Sequence, residues 1–437
     1  MKILSIFAFL LSFTSLQAQQ VWSLEDCIDY ALKNNISLKQ AELNIRIKES
    51  QLVQSKLQVL PSLNAASSFN KNRGRSIDPF SNDFVEEVSS FLNLSYSANT
   101  TIFNGFKNFN QIKKAANESL KSIYDLETSK NELISTLALS YLQILFNEEL
   151  YNIASKQLEL TKGQEERINT LVEAGSLAQG ELLNIQSQFA LEEQQLIQAE
   201  NQLNLSKLQL AQILELDKHQ NLQVLSLDLL LNDFQLKENI NDDFALALKK
   251  QSSIKSADLQ VKSAEYDLKI ARANYYPNFS LGYLNSTLYS DNLADMMSFN
   301  DQLDNNQQAG ITLSLSIPIF NQWMTRTAVN QSKIQIENSI LNAKLAKNQL
   351  RKNMEQAYTD QLAAYKRHQA ALKAEVANKA SFGYISDRYE LGMVNSYEFN
   401  ESKNKLIKAE SDELQAKYDL IFKVKLYDFY TSLTFEL

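Results

Sequence analysis

Few residues of this chain could carry metal or nucleophilic chemistry. The sequence contains two histidines, His219 and His368, and one cysteine, Cys27. Neither histidine has a Cys, Asp or Glu at the spacing of a metal-binding motif. We therefore predict that both histidines are solvated surface residues and that the chain holds no metal site.

Recognised catalytic patterns are also missing from the sequence. It has no phosphate-binding loop, dinucleotide fingerprint or nucleophile elbow. Acidic pairs such as Glu148-Glu149 and Glu192-Glu193 fall on predicted helices, where we interpret them as solvated faces. The net charge of −8, without a Lys/Arg cluster, argues against nucleic-acid binding. The sequence therefore predicts no enzyme activity and no cofactor.

The N-terminal residues have the layout of a secretory signal. Lys2 precedes an apolar run from Ile3 to Leu16, and Ala18 offers a small residue for cleavage. We expect residues 1–18 to be removed. No other segment approaches the roughly 20 apolar residues of a transmembrane helix, so a membrane-embedded chain would use strands. Cys27 lies beyond the cleavage point and is predicted to be a small apolar helix residue.

Glycine and proline are scarce, which predicts few turns. The 437 residues include 9 glycines and 4 prolines, against average usages of about 7% and 5%. No proline occurs in residues 105–276 or 319–437. One helical pattern runs from Lys107 to Val172, which spans about 100 Å at about 1.5 Å per residue. The chain is therefore predicted to be mainly helical.

The helix that returns from this rod carries a coiled-coil seam. Apolar residues recur every seven positions in two interleaved series. The series are Leu182, Phe189, Leu196, Leu203 and Leu210, and then Ile185, Ala199 and Ile213. Glu192 and Ser206 interrupt the second series. We expect long antiparallel coiled-coil hairpins, with turns marked by Gly175, Gly180 and Gly392.

An internal repeat organises the chain. Equivalent residues recur at an offset of 216 and, further along, of 217. The matches include Ala31-Leu32-Lys33 with Ala247-Leu248-Lys249, Pro61 with Pro277, Ile102-Phe103-Asn104 with Ile319-Phe320-Asn321, and Glu173-x-Gly175 with Glu390-x-Gly392. We therefore assign residues 19–215 to a first tandem repeat, 216–241 to a connector, and 242–437 to a second repeat that ends in an equatorial segment.

Each repeat reads as helix, strand, strand and a long helical hairpin. The opening helices are predicted from Leu24 to Val59 and from Asp242 to Tyr275, each ending before a proline. Alternating strands are predicted at about 61–70, 90–104, 277–289 and 308–320, and hairpin tips near 172–181 and 388–396. Four strands cannot close a barrel, and open sheet edges are not tolerated in lipid. Membrane strands here would therefore require several chains.

Two motifs stand out beside this duplicated plan. They are the opening stretch from Trp22 to Asn35 and the sequence Arg388-Tyr389-Glu390-Leu391-Gly392. Together with the plan, they resemble the TolC family of outer-membrane efflux proteins. The resemblance implies a homotrimer in which four strands per chain form a twelve-stranded β-barrel in the outer membrane, with the helices in the periplasm. It also implies docking onto a periplasmic adaptor and an inner-membrane pump, for passive export of small molecules or proteins.

The resemblance assigns roles to individual residues as well. Gly175 and Gly392 fall where the family's helix tips contact the adaptor. Glu398 and Glu401 fall where acidic rings narrow the periplasmic entrance, and three copies of each would attract cations and raise one another's pKa. The simpler interpretations are that the glycines only end helices and that the carboxylates are only solvated.

A link that closes the tip in the family is only partly matched. Glu181 and Tyr389 occupy two of its positions, but Val394 stands where an arginine is expected. We hypothesise a weaker or differently built gate. The alternative for the whole chain is a secreted or periplasmic coiled-coil scaffold without membrane strands.

Overall fold

The computed structural model describes residues 21–77, 82, 84–85, 88–216, 222–225 and 240–432. The predicted signal peptide, His219 and most of the predicted connector lie outside these residues. Helices dominate the described chain, as predicted, and some strands accompany them. Within the described residues, no helix has both the length and the apolar run needed to cross a membrane.

The helices include two rods of equal length. Each rod has 67 residues. In chain order the helices are α1 Leu24–Asn34, α2 Ile36–Leu57, α3 Lys107–Glu173, α4 Gln179–Ile213, α5 Ile240–Lys250, α6 Ser252–Ala273, α7 Phe299–Asn305, α8 Met324–Glu390 and α9 Ser396–Ser432, with a short 3-10 helix at Asp291–Leu293. The two rods are therefore α3 and α8.

In the part of the chain that the structure describes, the strands form one larger sheet and two short pairs. They are β1 Val21–Trp22, β2 Ser62–Arg73, β3 Ser76–Ile77, β4 Phe84–Val85, β5 Val88–Phe103, β6 Gln223–Val224, β7 Asn278–Ser290 and β8 Gln308–Ser316. The larger sheet is antiparallel, in the order β2-β5-β7-β8. Because β2 and β8 are its edges, each has one side free of a strand neighbour in this sheet.

Each opening helix is broken, whereas the sequence predicted one continuous helix. Between α1 and α2, Asn35 leaves the helical conformation, with φ −57° and ψ 127°. Its side-chain oxygen then accepts a hydrogen bond from the Leu38 backbone N–H at 3.2 Å, as an N-cap does. Between α5 and α6 the break falls at Gln251, whose side chain bonds to the Tyr430 carbonyl at 3.1 Å.

The chain divides into two compact units. The helical unit takes residues from Met1–Gln40, Glu127–Gln251 and Asn348–Leu437, and the strand unit from Ala41–Leu126 and Ser252–Lys347. Each unit therefore combines segments from both halves of the sequence.

In the core of the helical unit, the N-terminal segment packs against α3. Cys27 is fully buried there, which confirms it as an apolar helix residue. Strand β1 pairs in parallel with β6, and the buried Tyr141 hydroxyl bonds to the Leu225 carbonyl at 2.8 Å. The coiled-coil seam of α4 is also confirmed, since its heptad positions are buried or half-buried.

The larger sheet has one apolar and one polar face. Residues opposite each other across antiparallel strands share a face, and the register places the apolar positions together. We call this the apolar face, formed by Leu63, Phe69, Leu92, Leu94, Tyr96, Tyr283, Ile311, Leu313 and Leu315. The opposite face is mainly polar: it carries Asn64, Ser68, Asn93, Ser95, Ser97, Asn99, Ser280, Thr312 and Ser314, and also Phe91, Leu284 and Leu288. Every residue of β2 and β8 is exposed.

The backbone of Gly105, which follows β5, is closely approached by residues at and just beyond the end of α6. Its φ is +65°, and an added Cβ would lie 2.7 Å from the Ala273 carbonyl oxygen and 2.8 Å from the Tyr276 Cβ. Gly105→Ala should lower the free energy of unfolding by about 2 kcal/mol or more, because left-handed backbone strain and a close contact act together. Thermal unfolding in detergent, followed by circular dichroism, measures this.

The matched control is Gly163→Ala within α3. A Cβ there meets nothing within 4 Å. Because alanine favours a helix interior, this change should stabilise the protein by about 0.5–1 kcal/mol. If Gly105→Ala unfolded at the same temperature as the wild type, the close approach of Ala273 and Tyr276 to Gly105 would be contradicted.

Candidate functional site

The tips of the two helical hairpins have the same turn geometry. Gly175 and Gly392, predicted to mark these turns, both have φ +71°. At the first tip, the Ser176 N–H bonds to the Leu171 carbonyl at 2.8 Å; at the second, Met393 bonds likewise to Arg388 at 2.8 Å. This pattern is a Schellman helix end, in which glycine adopts the left-handed conformation without a Cβ penalty.

Side chains from both tips line one cavity of about 360 Å³, which we call the tip cavity. The lining includes Arg167, Ile168, Leu171, Leu177, Glu181, Tyr389, Val394, Ser396 and Phe399. Glu181 and Tyr389, two of the sequence-predicted site residues, are thus brought together. Val394 lies in the same lining, and the arginine that lines the cavity comes from α3.

Glu181 and Tyr389 are connected through a third residue, Ser396. The Ser396 hydroxyl donates a hydrogen bond to the Glu181 carboxylate. Its oxygen lies 3.3 Å from the Tyr389 hydroxyl. Because the serine proton is given to the carboxylate, the tyrosine must donate to the serine oxygen. We call this Tyr389 to Ser396 to Glu181 relay the tip link.

Aromatic packing fixes the tyrosine end of the tip link. The Tyr389 ring stacks on Phe399 with a centroid separation of 4.5 Å and an interplanar angle of 29°. Phe399 is itself buried, and its ring also packs against Phe382 with a centroid separation of 5.4 Å. Such stacking restricts the direction of the Tyr389 hydroxyl. Sequence reasoning missed Ser396, although its place at the start of α9 faces the tip cavity.

Glu398 and Glu401 lie on the exposed side of α9, opposite the buried Ser396 and Phe399. The Glu398 backbone N–H is capped by the Asn395 side chain at 2.9 Å. Glu401 pairs with Lys405 one turn later at 2.7 Å. This hydrogen bond raises the pKa of the lysine. Glu401 therefore has a neighbouring positive charge, which the sequence interpretation left out.

A buried ion pair lies further along the same helices. The Lys403 ammonium is 3.1 Å from the Glu192 carboxylate, and the two side chains are 3% and 2% exposed. Thr161 bonds to both groups, and Gln188 donates to Glu192 at 2.7 Å. Burial lowers the pKa of Lys403, while the attraction of Glu192 opposes this shift. The pair joins α4 to α9, and Thr161 connects both to α3.

Two sequence interpretations of charged residues were wrong. Glu192 was assigned to a solvated face, but it occupies a heptad position whose spacing could have indicated its burial. His368 was predicted to be solvated, but its ring is largely buried, and its Nε2 lies 3.2 Å from the Glu413 carboxylate.

Known proteins resemble this chain in sequence and in fold. The family model described as outer membrane efflux protein matches residues 27–215 and 245–423. A curated relative, the pyoverdine export outer membrane protein OpmQ of Pseudomonas aeruginosa, is 26% identical over 317 residues, or 71% of this chain. The match covers 64% of the length of that relative.

Solved structures share the fold at low sequence identity. The Campylobacter jejuni outer membrane channel CmeC has a TM-score of 0.81 at 17% identity, covering 93% of this chain and 85% of its own. The outer membrane protein VceC of Vibrio cholerae has a TM-score of 0.79 at 14% identity, covering 93% and 95%.

Removing Lys403 alone should be strongly destabilising. Lys403→Met leaves the Glu192 carboxylate buried without its partner, so the free energy of unfolding should fall by about 3–5 kcal/mol. Replacing both residues, as Glu192→Leu with Lys403→Met, should recover most of this loss. Unfolding in detergent by urea or heat measures the three free energies.

Lys405→Met is the control on the same helix. Its pair with Glu401 is exposed, so little change is expected. Equal effects of the two single lysine replacements would contradict a special role for the buried pair.

Proposed function

The chain belongs to the outer membrane efflux protein family, whose members are channels and not enzymes, and we propose that it is one subunit of a trimeric export duct. In this proposal, each chain contributes its four-stranded sheet to a twelve-stranded barrel in the outer membrane. The helical hairpins form the periplasmic part of the duct.

The observation that carries the proposal is the sheet with open edges and one apolar face. An unpaired strand edge in lipid leaves backbone N–H and C=O groups without partners, at several kcal/mol each. Pairing β8 of one chain with β2 of the next removes both edges. The apolar face then meets lipid and the Asn, Ser and Thr face lines water.

Matching positions in the two halves support a tandem duplication. Rods α3 and α8 begin 217 residues apart and have equal length. The helix breaks at Asn35 and Gln251 are 216 residues apart, as are Pro61 and Pro277. We therefore retain the two predicted repeats. We propose that the loops between paired strands lie outside the cell and that the hairpins lie in the periplasm.

The hairpin tips are proposed to dock a periplasmic adaptor, which connects the duct to an inner-membrane pump. Gly175 and Gly392 expose backbone at both tips, since a Cβ at either position would meet nothing within 4 Å. A helical partner could approach closely at such sites. The exported cargo would be small molecules or proteins, moved by the energy of the pump, in a tripartite efflux or type I secretion system.

The exposed carboxylates of α9 are proposed to form the entrance. Three copies of Glu398 and Glu401 around the axis would attract cations. Because Lys405 pairs with Glu401, we expect Glu398 to contribute most of the negative field. The tip link would hold the entrance narrow in the closed state.

Purified protein should be a trimer with a small, cation-selective conductance in planar bilayers. Glu398→Gln should reduce the cation selectivity more than Glu401→Gln, since Lys405 already offsets the second charge. Light scattering gives the mass, and reversal potentials in a salt gradient give the selectivity.

A monomer released by osmotic shock, with no conductance, would instead establish the soluble scaffold. If both variants had the same cation selectivity as the wild type, Glu398 and Glu401 would not form the entrance. The proposed duct would not be affected by that result.

Breaking the tip link should increase the open probability of the channel. Ser396→Ala removes both hydrogen bonds, and Tyr389→Phe removes one while keeping the ring stack. We therefore expect the larger rise in conductance for Ser396→Ala, measured on single channels. Tyr384→Phe, an exposed tyrosine of α8, is the matched control. If the Ser396→Ala channel gated like the wild type, the tip link would have no part in the closed state.

A further inference from the structure

The segment between β7 and β8 folds back onto the sheet. It contains the 3-10 helix and α7. Hydrogen bonds hold it there: Thr287 Oγ1 to the Leu303 carbonyl at 2.6 Å, Asn306 Nδ2 to the Leu288 carbonyl at 2.7 Å, and the Ser290 N–H to Gln302 Oε1 at 3.0 Å. Gln302 is fully buried by this contact. The segment is thus a fixed part of the strand unit.

The segment lies on the apolar face. The register sets Thr287 opposite Leu94 and Tyr289 opposite Leu92, so both belong to that face. Helix α7 meets it through Phe299, whose ring centroid lies 4.9 Å from that of Tyr289.

Helix α7 covers the place where polar residues interrupt the apolar face. Asn285 and Thr287 share this face with Tyr96 and Leu94, and an exposed amide or hydroxyl is costly in lipid. Asn285 is only 5% exposed, and Thr287 bonds to α7. The segment therefore shields polar groups on the side of the sheet that the proposed function puts against lipid.

The outer side of the segment is itself amphipathic. Met296 is 83% exposed, and Phe299, whose ring contacts Tyr289 of the apolar face, is 46% exposed. Asp295, Asp301 and Asp304 are exposed as well. Interfacial elements combine an apolar side that enters the acyl region with a charged side at the headgroups, and here the charged side chains are acidic instead of the usual basic ones.

Strand length places the segment at that boundary. Strand β7 has 13 residues, of which Asn278–Leu284 precede the covered part. Seven residues at about 3.3 Å each span about 23 Å, or about 18 Å of depth at a tilt of about 40°. An outer-membrane barrel has an apolar band about 25 Å tall. A band that begins at Asn278, the first residue of β7, would therefore reach the level of α7.

We propose that residues 291–305 form an interfacial anchor on the outside of the barrel, with Met296 and Phe299 in contact with lipid. The carboxylates would lie at headgroup level, in the leaflet on the loop side. This inference rests on the proposed function, because it requires the apolar face to be in a membrane.

Site-directed labelling tests the anchor. Burial raises the pKa of the Cys27 thiol to about 12, so an introduced cysteine reacts selectively. Met296→Cys is labelled with an environment-sensitive fluorophore, and the trimer is reconstituted into vesicles of phosphatidylethanolamine and phosphatidylglycerol. We expect a blue-shifted emission, quenched more by lipid nitroxides at the headgroup than at the chain ends.

Two further label sites make the outcomes distinct. Leu313→Cys, on the apolar face of β8, should be quenched more by chain-end nitroxides, and Asp295→Cys by a water-soluble quencher. If Met296 behaves like Asp295 while Leu313 reports lipid, the anchor is wrong and the proposed duct stands. If Leu313 also reports water, the membrane location fails, and the anchor fails with it.

Discussion

Backbone polar groups must be hydrogen-bonded wherever water is absent, and this requirement governs the strand unit. The sheet joins the two halves of the chain at its centre, where β5 pairs with β7, and leaves β2 and β8 as open edges. A single chain in lipid could not satisfy these edges. Assembly is therefore a condition of membrane insertion in our proposal, and the alternation of apolar and polar faces has a purpose only once the edges are paired.

The helical unit meets the same requirement inside long rods, whose backbone groups bond within each helix. What a rod cannot fix by itself is its register against its neighbours, because a leucine seam tolerates shifts by one heptad. The buried pair of Lys403 and Glu192 removes that freedom. A shift would separate the two charges in a site with little water, so a single alignment of α3, α4 and α9 is favoured.

Patterns that depend on local chemistry were predictable from the sequence, whereas contacts between distant segments were not, except that the family resemblance had implied a link between Glu181 and Tyr389. Helix content followed from the scarcity of glycine and proline, and the seam followed from heptad spacing. The break at Asn35 is a local capping interaction that the apolar pattern concealed. Ser396 could not be identified, since a serine at a helix start usually caps that helix, and here its hydroxyl bonds instead to Glu181, 215 residues away. The partner of His368, 45 residues away, was hidden for the same reason.

The composition of the tip link suits a gate that a partner opens. It joins the first turn of α4 to the first turn of α9 and the last turn of α8, so it can break without unfolding any helix. A hydroxyl relay to one carboxylate is weaker than a bidentate arginine pair, which Val394 excludes at the expected position. In the proposed duct, the binding energy that a partner must supply to shift the population towards an open state would be correspondingly smaller. A docking partner that contacts the adjacent glycine turns would act directly on the ends of these helices.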